Sequence, residues 1–310
     1  MTADASFRCA AASVQRDEPL AGTATHVRTW LLLEHPGAWG VDALLDARLP
    51  DGLGRELKRR AAELRAKILL VRRPGSGTTE ADGPRVFAVR SDPERPRVES
   101  AVVPDLRDVL DLDLQAFRRG GPSGLPAYRG SLFCVCTNGR HDVCCAERGR
   151  PAAAALAQAH PAETWEVSHI GGDRFAGNLV VLPAGLYYGR VDRTSALAVA
   201  GAHLAGELDL DHLRGRSGWP MAVQAAEVEL RRQLGVTRDG DVVLVERSTA
   251  ADPSIAGGRT TTATFRVAGG TYDVAVHTAP GPAPAARLTC KARAESPVPV
   301  HRLLGVTRRD

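Results

Sequence analysis

The chain has 310 residues, of which 44% are hydrophobic, so it is long enough to form two or three domains with a sizeable core. Its formal net charge is +4, but the basic residues are nearly all arginine and are spread from Arg8 to Arg309 without a basic stripe, which argues against nucleic-acid binding. No apolar run is long enough to span a bilayer, and the first residues lack the basic start and apolar stretch of an export signal. We therefore expect a cytoplasmic protein without membrane contact.

The first part of the chain predicts a strand–helix–strand unit. An apolar run within residues 26–40 ends at a Pro-Gly turn and indicates a buried strand. Strong helix formers fill residues 54–66, and residues 67–75 indicate a second buried strand. A further short strand is expected at 86–90, followed by a loop at 91–100. We predict an α/β domain over residues 1–128.

The second part predicts the order strand, helix, strand, strand, strand, which is typical of a thioredoxin-like fold. The sequence SLFCVC (131–136) indicates a strand, and a helix is expected to begin at Pro151 after a loop. A strand then runs from residue 164 into a Gly-Gly loop, and residues 178–191 form a predicted hairpin around Pro-Ala-Gly. This predicts a domain over 129–218, and the first domain is similar to it but lacks its cysteine loop.

The last part predicts a helix followed by a small antiparallel sheet over residues 219–310. Residues 221–235 have the composition of a helix. Four segments separated by Gly- and Pro-rich turns are expected to be its strands: VVLVE, TATFRV, YDVAV and RLTCKA.

Four of the six cysteines lie in the twelve residues 134–145, which is the strongest chemical signal in the sequence. Cysteines of a cytoplasmic protein stay reduced, so a cluster of them favours metal binding or catalysis over disulfides. Cys136 and Cys145 are separated by eight residues that include Asn-Gly, and we expect this loop to bring both sulfurs to one point. Zinc or a two-iron cluster needs about four donors. His169 and Asp173 flank Ile-Gly-Gly, whose glycines permit a tight bend, and they supply the remaining two candidates.

The motifs around these residues resemble the sucrase/ferredoxin-like family. The resemblance rests on C-x8-C with an Ala-x-Arg-Gly tail, on HIGGDRFAGN and on VVLPAGLYYGRV, and it is specific over about residues 131–191. The second half of these proteins is similar to thioredoxin-like [2Fe-2S] ferredoxins. The resemblance implies a [2Fe-2S] cluster with Cys136, Cys145 and His169 as ligands, and it places Asp173 at the last ligand position, where fungal members have a second histidine.

Several other residues near the motif have predicted roles. Cys144 is an alternative fourth donor to Asp173, since it lies beside Cys145. His141 and Asp142 are expected to shape the loop. The remaining cysteines are expected to be small buried apolar residues: Cys9, Cys134 and Cys290.

Three classes of function fit this pattern to different degrees. The leading hypothesis is an iron-sulfur protein that passes single electrons to or from a redox partner protein. A structural zinc module is the second, because two cysteines, one histidine and one aspartate also suit a tetrahedral site. A thiol redox enzyme is the third, but the chain has no C-x-x-C motif, and the adjacent Cys144 and Cys145 would form only a strained bridge. No pair of carboxylates in a recognisable glycosidase setting supports a hydrolase.

Overall fold

The computed structural model describes residues 7–75, 83–281 and 286–309, which form an α+β fold with one ten-stranded mixed sheet and one four-stranded antiparallel sheet. The helices are α1 (Cys9–Gln15), α2 (Ala43–Asp46), α3 (Leu53–Leu64), α4 (Leu114–Arg119), α5 (Val143–Ala159), α6 (Arg193–Leu204) and α7 (Met221–Leu234). The strands are β1 (Thr29–Glu34), β2 (Lys67–Arg72), β3 (Arg85–Arg90), β4 (Arg97–Val102), β5 (Ala127–Tyr128), β6 (Leu132–Cys136), β7 (Thr164–Val167), β8 (Leu179–Leu182), β9 (Leu186–Tyr188), β10 (Leu213–Arg216), β11 (Val243–Ala251), β12 (Arg259–Val267), β13 (Gly270–Pro280) and β14 (Pro299–Arg309). Short 3-10 helices cover Leu106–Asp111, Asp173–Phe175 and Asp239–Asp241. The predicted mixed α/β class is confirmed.

The large sheet contains the same arrangement twice. In the first unit, β1, α3, β2, β3 and β4 follow one another, with β1 parallel to β2 and antiparallel to β3. In the second unit, β6, α5, β7, β8 and β9 follow in the same order, with β6 parallel to β7 and antiparallel to β8. The last strand of each unit pairs antiparallel with the strand before it. Each unit thus has the order strand, helix, strand, strand, strand that the sequence predicts for the second part of the chain.

The two units join edge to edge through their equivalent strands β2 and β7. These strands pair antiparallel, with Val71 opposite Val167 and Arg72 opposite Glu166. The salt bridge between Arg72 and Glu166, at 2.7 Å, reinforces this junction. Strands from residues 1–128 and from 129–218 belong to one sheet. The shared sheet does not test whether the chain divides into separate domains at these positions, so the predicted boundaries stay predictions.

A shared core fixes the two units relative to each other. Strand β1 is buried along its whole length because both faces of the sheet are covered at this point. Trp30 and Leu32 face a core cluster that also contains Cys134 and other residues of the second unit, whereas Leu31 and Leu33 face a separate cluster with α3. The shared cluster therefore holds the carboxyl ends of β6 and β7, from which the candidate metal-binding loops depart, in a fixed position beside the first unit.

The C-terminal region consists of α7 packed on the four-stranded sheet, in the order β11-β12-β13-β14. Val223 and Leu230 of the helix lie in one apolar cluster with Phe265 and Val274 of the sheet. The predicted helix followed by an antiparallel sheet is therefore present.

Three element predictions are wrong in detail. Helix α5 begins at Val143, so Pro151 lies inside it and does not start it. Strand β4 occupies part of 91–100, which the sequence indicates as a loop. The segment RLTCKA (287–292) is not a strand, and the fourth strand of the small sheet is β14. The side chain of Asp142, the residue just before α5, accepts a hydrogen bond from the backbone N–H of Cys290 and holds this segment.

None of the helices in the described ranges combines the length and the apolar composition that crossing a bilayer requires.

Candidate metal centre

The first loop of the centre connects the end of β6 to the start of α5. Cys136 is the last residue of β6, and Cys145 lies in the first turn of α5, so the predicted loop is shorter than the sequence indicates. Asp142 caps the helix by accepting a hydrogen bond from the backbone N–H of Cys144 at 2.9 Å. The helix passes close to the strand, since a Cβ at Gly149 would lie 2.1 Å from the carbonyl oxygen of Cys136. The helix N-terminus therefore faces the strand end, where its dipole favours negative charge.

The second loop follows β7 and leads into the 3-10 turn that begins at Asp173. Gly171 and Gly172 have φ values of +104° and +81°, a region in which a side chain causes strain, so the expected bend at the two glycines is confirmed. A Cβ at Gly172 would also lie 2.3 Å from the guanidinium of Arg214. The bend turns His169 and Asp173 toward the same side as the first loop.

Arg214, from β10, holds the second loop in place. Its buried guanidinium donates hydrogen bonds to the carbonyl oxygen of Gly171 at 3.1 Å and to Oδ1 of Asn178 at 2.8 Å. A third bond, of 2.5 Å, reaches the carbonyl oxygen of Thr23. Burial lowers the pKa of Arg214 to about 10, so the side chain stays charged at neutral pH.

Of the four predicted side chains, Cys145 and His169 contact the carboxylate of Asp173, and Cys136 joins them through Cys145. The thiol of Cys145 donates to Asp173 Oδ1 at 3.3 Å and is also hydrogen-bonded to Cys136. His169 Nδ1 lies 3.0 Å from the same carboxylate oxygen. The side chain of Asp173 is 3% exposed, whereas that of His169 is 32% exposed, so the centre reaches from the interior to the surface.

His141 is a member of the centre that the sequence predicts only to shape its loop. Its Nε2 lies 3.4 Å from Oδ2 of Asp173, and its ring stacks on that of His169 with 3.8 Å between the ring centres. Its Nδ1 is 3.1 Å from the carbonyl oxygen of Val41 in the first unit. One ligand atom from each of His141, His169 and Asp173 lies within 4.8 Å of the others. The position of His141 between Cys136 and Cys145 in the sequence did not indicate its contact with Asp173, because that contact forms only when the two loops fold against each other.

The charges of the centre are coupled in the absence of a metal. Burial alone would raise the pKa of Asp173, but the neighbouring His141 and His169 outweigh it and hold this pKa well below its usual range. The hydrogen bond to Asp173 raises the pKa of His141. The hydrogen bond between the two thiols lowers the pKa of Cys136 and raises that of Cys145. Negative charge thus concentrates at Cys136 and Asp173, the positions where a cation would be attracted.

One atom of the centre has no hydrogen-bond partner. Within the part of the chain that the structure describes, the buried Nδ1 of His169 makes no hydrogen bond, although it forms an ion pair with Oδ1 of Asp173 at 3.0 Å. A buried polar nitrogen without a partner is costly, and a metal ion would satisfy it. The donor set of two thiols, one imidazole and one carboxylate fits either a [2Fe-2S] cluster or zinc by chemical type.

A cavity of about 360 Å³ opens beside the histidines, between the two units. The first unit contributes Val41, Leu44 and Lys67 to its wall, and the second contributes His141 and His169. Burial lowers the pKa of Lys67 to about 8, and this group interacts electrostatically with Cys136 and Asp173. The imidazole rings are therefore the part of the centre that a molecule in this cavity would touch.

Cys144, the alternative fourth donor, belongs to a different cluster. Its Sγ lies 3.3 Å from Sγ of Cys290, and Cys9 and Asp142 complete a buried group whose ligand atoms are all within 4.8 Å of one another. This buried Cys/Asp group could bind a metal. Cys9 and Cys290 are buried, as predicted, but they are not isolated apolar residues. They lie far from the motif in sequence, so no spacing pattern could indicate the cluster.

Cys134 is the one cysteine of the six with no role in either group. It is completely buried in the core of β6, in agreement with its predicted role, and burial raises its pKa above the usual range for a thiol.

A family model described as Sucrase/ferredoxin-like matches residues 20–215. This range begins before β1 and ends in β10, so it includes both loops of the candidate centre and leaves out Cys9 and Cys290. No curated protein and no solved structure matches the chain.

Proposed function

Since the chain belongs to the sucrase/ferredoxin-like family, we propose that it is an electron-transfer protein whose second unit is a thioredoxin-like ferredoxin that holds a [2Fe-2S] cluster. The ligands in this proposal are Cys136, Cys145, His169 and Asp173. The observation that carries it is the contact of the Cys145 thiol and the buried imidazole nitrogen of His169 with the carboxylate of Asp173, with Cys136 hydrogen-bonded to Cys145.

Each ligand has a distinct place in the proposed centre. Cys136 and Cys145 are 1% exposed, and they would bind the buried side of the cluster. His169 would bind the surface side through Nδ1. Asp173 reaches both sides, because its Oδ1 is near both Cys145 and His169. Arg214 and the glycines would keep His169 and Asp173 at a constant separation when the charge of the centre changes.

When bound, a [2Fe-2S] cluster accepts and releases one electron at a time. The chain sets how easily it does so. One neutral imidazole among the ligands gives the donor set one negative charge fewer than four thiolates, which favours reduction. The cationic Lys67 and Arg214 interact with Cys136 and Asp173 and act in the same direction.

We propose that a redox partner protein exchanges electrons at the cavity beside the two histidines. The side chains of His141 and His169 are 28% and 32% exposed, while Cys136, Cys145 and Asp173 are buried, so the imidazole rings are the part of the centre that reaches solvent. All six cysteines are free thiols, and we propose a cytoplasmic location because thiols are kept reduced there.

The proposal is tested by iron, sulfide and zinc analysis of anaerobically purified protein together with its visible and electron paramagnetic resonance spectra. We expect a red-brown protein with equal amounts of iron and acid-labile sulfide and a paramagnetic signal after one-electron reduction. Cys136→Ser and Cys145→Ser should remove the colour and the iron. The matched control Cys134→Ser changes a cysteine of the same strand and should retain both. A colourless wild-type protein, or a coloured one whose spectrum survives both ligand substitutions, would overturn the assignment.

A structural zinc site is the second candidate, and the position of His141 favours it. Two imidazoles and a carboxylate within 4.8 Å form a donor set that zinc binds readily, and the thiol of Cys145, which contacts the carboxylate, is the candidate fourth donor. In this case the protein contains no sulfide, and Cys145→Ala and His141→Ala each release one zinc. The [2Fe-2S] proposal instead expects His141→Ala to retain iron and sulfide.

A further inference from the structure

We propose that Cys9, Cys144, Cys290 and Asp142 form a second, separate metal site that binds one zinc ion. This site does not depend on the function proposed above. Its residues take no part in the candidate iron-sulfur centre, and two of its three thiols lie outside the range that the family model matches.

The distances between the ligand atoms are close to those of a zinc site. Sγ of Cys290 lies 3.3 Å from Sγ of Cys144 and 3.5 Å from Sγ of Cys9. Sγ of Cys9 lies 3.7 Å from both carboxylate oxygens of Asp142. In a tetrahedral site with Zn–S distances of about 2.3 Å, neighbouring sulfurs are about 3.8 Å apart. The four side chains therefore need to move apart by only a few tenths of an ångström to accept the ion.

Asp142 gives the cluster a charge that thiol packing alone does not explain. It is fully buried. Its oxygens accept hydrogen bonds from the backbone N–H groups of Cys144 at 2.9 Å and Cys290 at 2.6 Å, and both face the thiol of Cys9. Within the described ranges no cationic side chain forms an ion pair with it. A buried carboxylate without a cation is costly, and a divalent metal ion beside it would supply the missing positive charge.

The donor types select zinc over the common alternatives. Three thiolates are soft ligands that disfavour magnesium and calcium. A fourth donor of the carboxylate type makes a closed four-coordinate site, which is the usual form of a structural zinc site. Copper(I) would be satisfied by the three sulfurs alone, so the part played by Asp142 distinguishes the two ions.

The adjacent residues Cys144 and Cys145 point to different sites from one turn of α5. Cys145 donates to Asp173 in the candidate iron-sulfur centre, whereas Cys144 contacts Cys290. Iron and zinc would thus be held on two sides of the same helix start. Each site can be emptied by substitutions that leave the ligands of the other unchanged.

The zinc ion would hold two distant segments against the first loop. Cys9 begins α1, which packs on the 3-10 turn that starts at Asp173. Cys290 belongs to a segment without regular structure, whose neighbour Lys291 donates a hydrogen bond to the carbonyl oxygen of Arg140. A metal at this site would cross-link three segments that are remote in sequence, and would so stabilise the packing of α1 on the turn that begins at Asp173.

The first test measures zinc, iron and sulfide in the full chain produced with both metals available. We compare Cys9→Ala and Cys290→Ala with Cys134→Ala, which removes a buried thiol that contacts neither site. Wild-type protein and Cys134→Ala should contain one zinc per chain, and the other two variants should lose it with iron and sulfide unchanged. In turn, Cys136→Ala should lose iron and keep zinc. Absence of zinc from the wild type, or its retention in both variants, overturns the proposal.

The second test uses only the wild-type protein, so its result does not depend on whether the variants fold. A chelator is used to remove zinc from the wild-type protein, and Co²⁺ is then added as a probe. Sulfur-to-cobalt charge-transfer bands with the visible bands of a tetrahedral site are expected, and zinc should displace them. Thermal unfolding should occur at a lower temperature in the zinc-free protein and recover when zinc is returned. A disulfide between two of these thiols in the purified protein, or unchanged unfolding after zinc removal, contradicts the proposal.

The role of Asp142 has its own variant. Asp142→Asn keeps an amide oxygen that can cap α5 but removes the negative charge. We expect weaker zinc binding with unchanged helix content. Equal zinc affinity in this variant, or tight copper(I) binding with no zinc binding in the wild type, would overturn the four-donor zinc site.

Discussion

The first and second units have the same order and direction of strands, but they use the ends of those strands differently. Strand β6 of the second unit ends at Cys136, and the helix after it presents Cys145. The equivalent strand β1 of the first unit ends at Glu34, whose carboxylate accepts a hydrogen bond from the backbone N–H of Arg85 at 2.9 Å. The sheet topology is therefore compatible with either a metal centre or an ordinary strand end, and the loops decide between them.

The first unit still contributes to the centre, but as its wall. The carbonyl oxygen of Val41 holds the ring of His141, and Lys67 adds positive charge beside the ligands. In the proposed centre, the second unit would supply the ligands, and the first unit would position and shield them.

The largest expected effect is on the visible chromophore, and it distinguishes His169 from His141. His169→Ala should abolish the visible chromophore, because it removes a proposed ligand from the second unit. His141→Ala should retain the chromophore, because it removes a contact to the first unit and to Asp173. Visible spectra and iron content of the two variants check this. The reverse result, with colour lost only in His141→Ala, would show that the ligand set depends on the loop held by the first unit.

The next effect concerns the close approach of α5 to β6. Gly149→Ala places a Cβ against the carbonyl oxygen of Cys136, and we expect it to cost about 3 kcal/mol of unfolding free energy and to shorten the lifetime of the centre. The control is Gly201→Ala in α6, where no described atom outside the helix's own neighbouring backbone lies within 4 Å of the added Cβ. This substitution should stabilise the protein by about 1 kcal/mol through helix propensity. Urea unfolding measures both, and equal effects would show that α5 can shift away from the strand.

A smaller loss of unfolding free energy is expected from Arg214→Leu. The substitution removes the hydrogen bonds to Gly171 and Asn178 and should cost about 2 kcal/mol. It should also loosen the second loop, so that iron is lost faster to a chelator. Arg232→Leu, on an exposed pair with Glu229, is the matched control and should change stability by less than about 0.5 kcal/mol. Similar rates of iron loss in both variants would contradict a positioning role for Arg214.

The smallest effects are in the pH dependence of stability. One histidine from each part of the sheet contributes to it, and the two contributions change in opposite directions with pH. Burial and the nearby Arg72 lower the pKa of His35 in the first unit, so its contribution is present above pH 6.5 and is lost as the pH falls. The hydrogen bond to Asp209 raises the pKa of His212 beside β10, so its contribution is present below pH 6.5 and is lost as the pH rises through the raised value.

His35→Gln should flatten the acid side of the stability profile, and His212→Gln should flatten the alkaline side. Unfolding free energies measured across the range from about pH 5 to 8 check the two slopes separately. Profiles that change on the same side in both variants would disprove the assignment.

Local patterns in the sequence predicted the elements that depend on neighbouring residues. The strands β1 and β2, the hairpin of β8 and β9 and the bend at Gly171 and Gly172 all follow from apolar runs and turn residues. The start of α5 was mispredicted because Pro151 is a common first residue of a helix, whereas the side-chain cap at Asp142 is the signal that decides.

Contacts between remote segments could not be predicted in this way. The role of His141 depends on two loops that meet at Asp173, and the cluster of Cys9, Cys144 and Cys290 joins segments up to 281 residues apart. RLTCKA has the composition of a strand, but the bond from the N–H of Cys290 to Asp142 holds it on the helix start instead. Tertiary contacts override local propensity at these positions.

The pairing of β2 with β7 has a consequence for the origin of the molecule. These strands have the same place in their units and run antiparallel where they meet, and the edge strands β5 and β10 also occupy matching positions. This is the arrangement of a homodimer with a two-fold axis, in which the same edge of each copy meets the other. Duplication and fusion of one ancestral gene would convert such a dimer into a single chain. After such a fusion the two copies need not stay identical, so the loops of one can change while those of the other are kept.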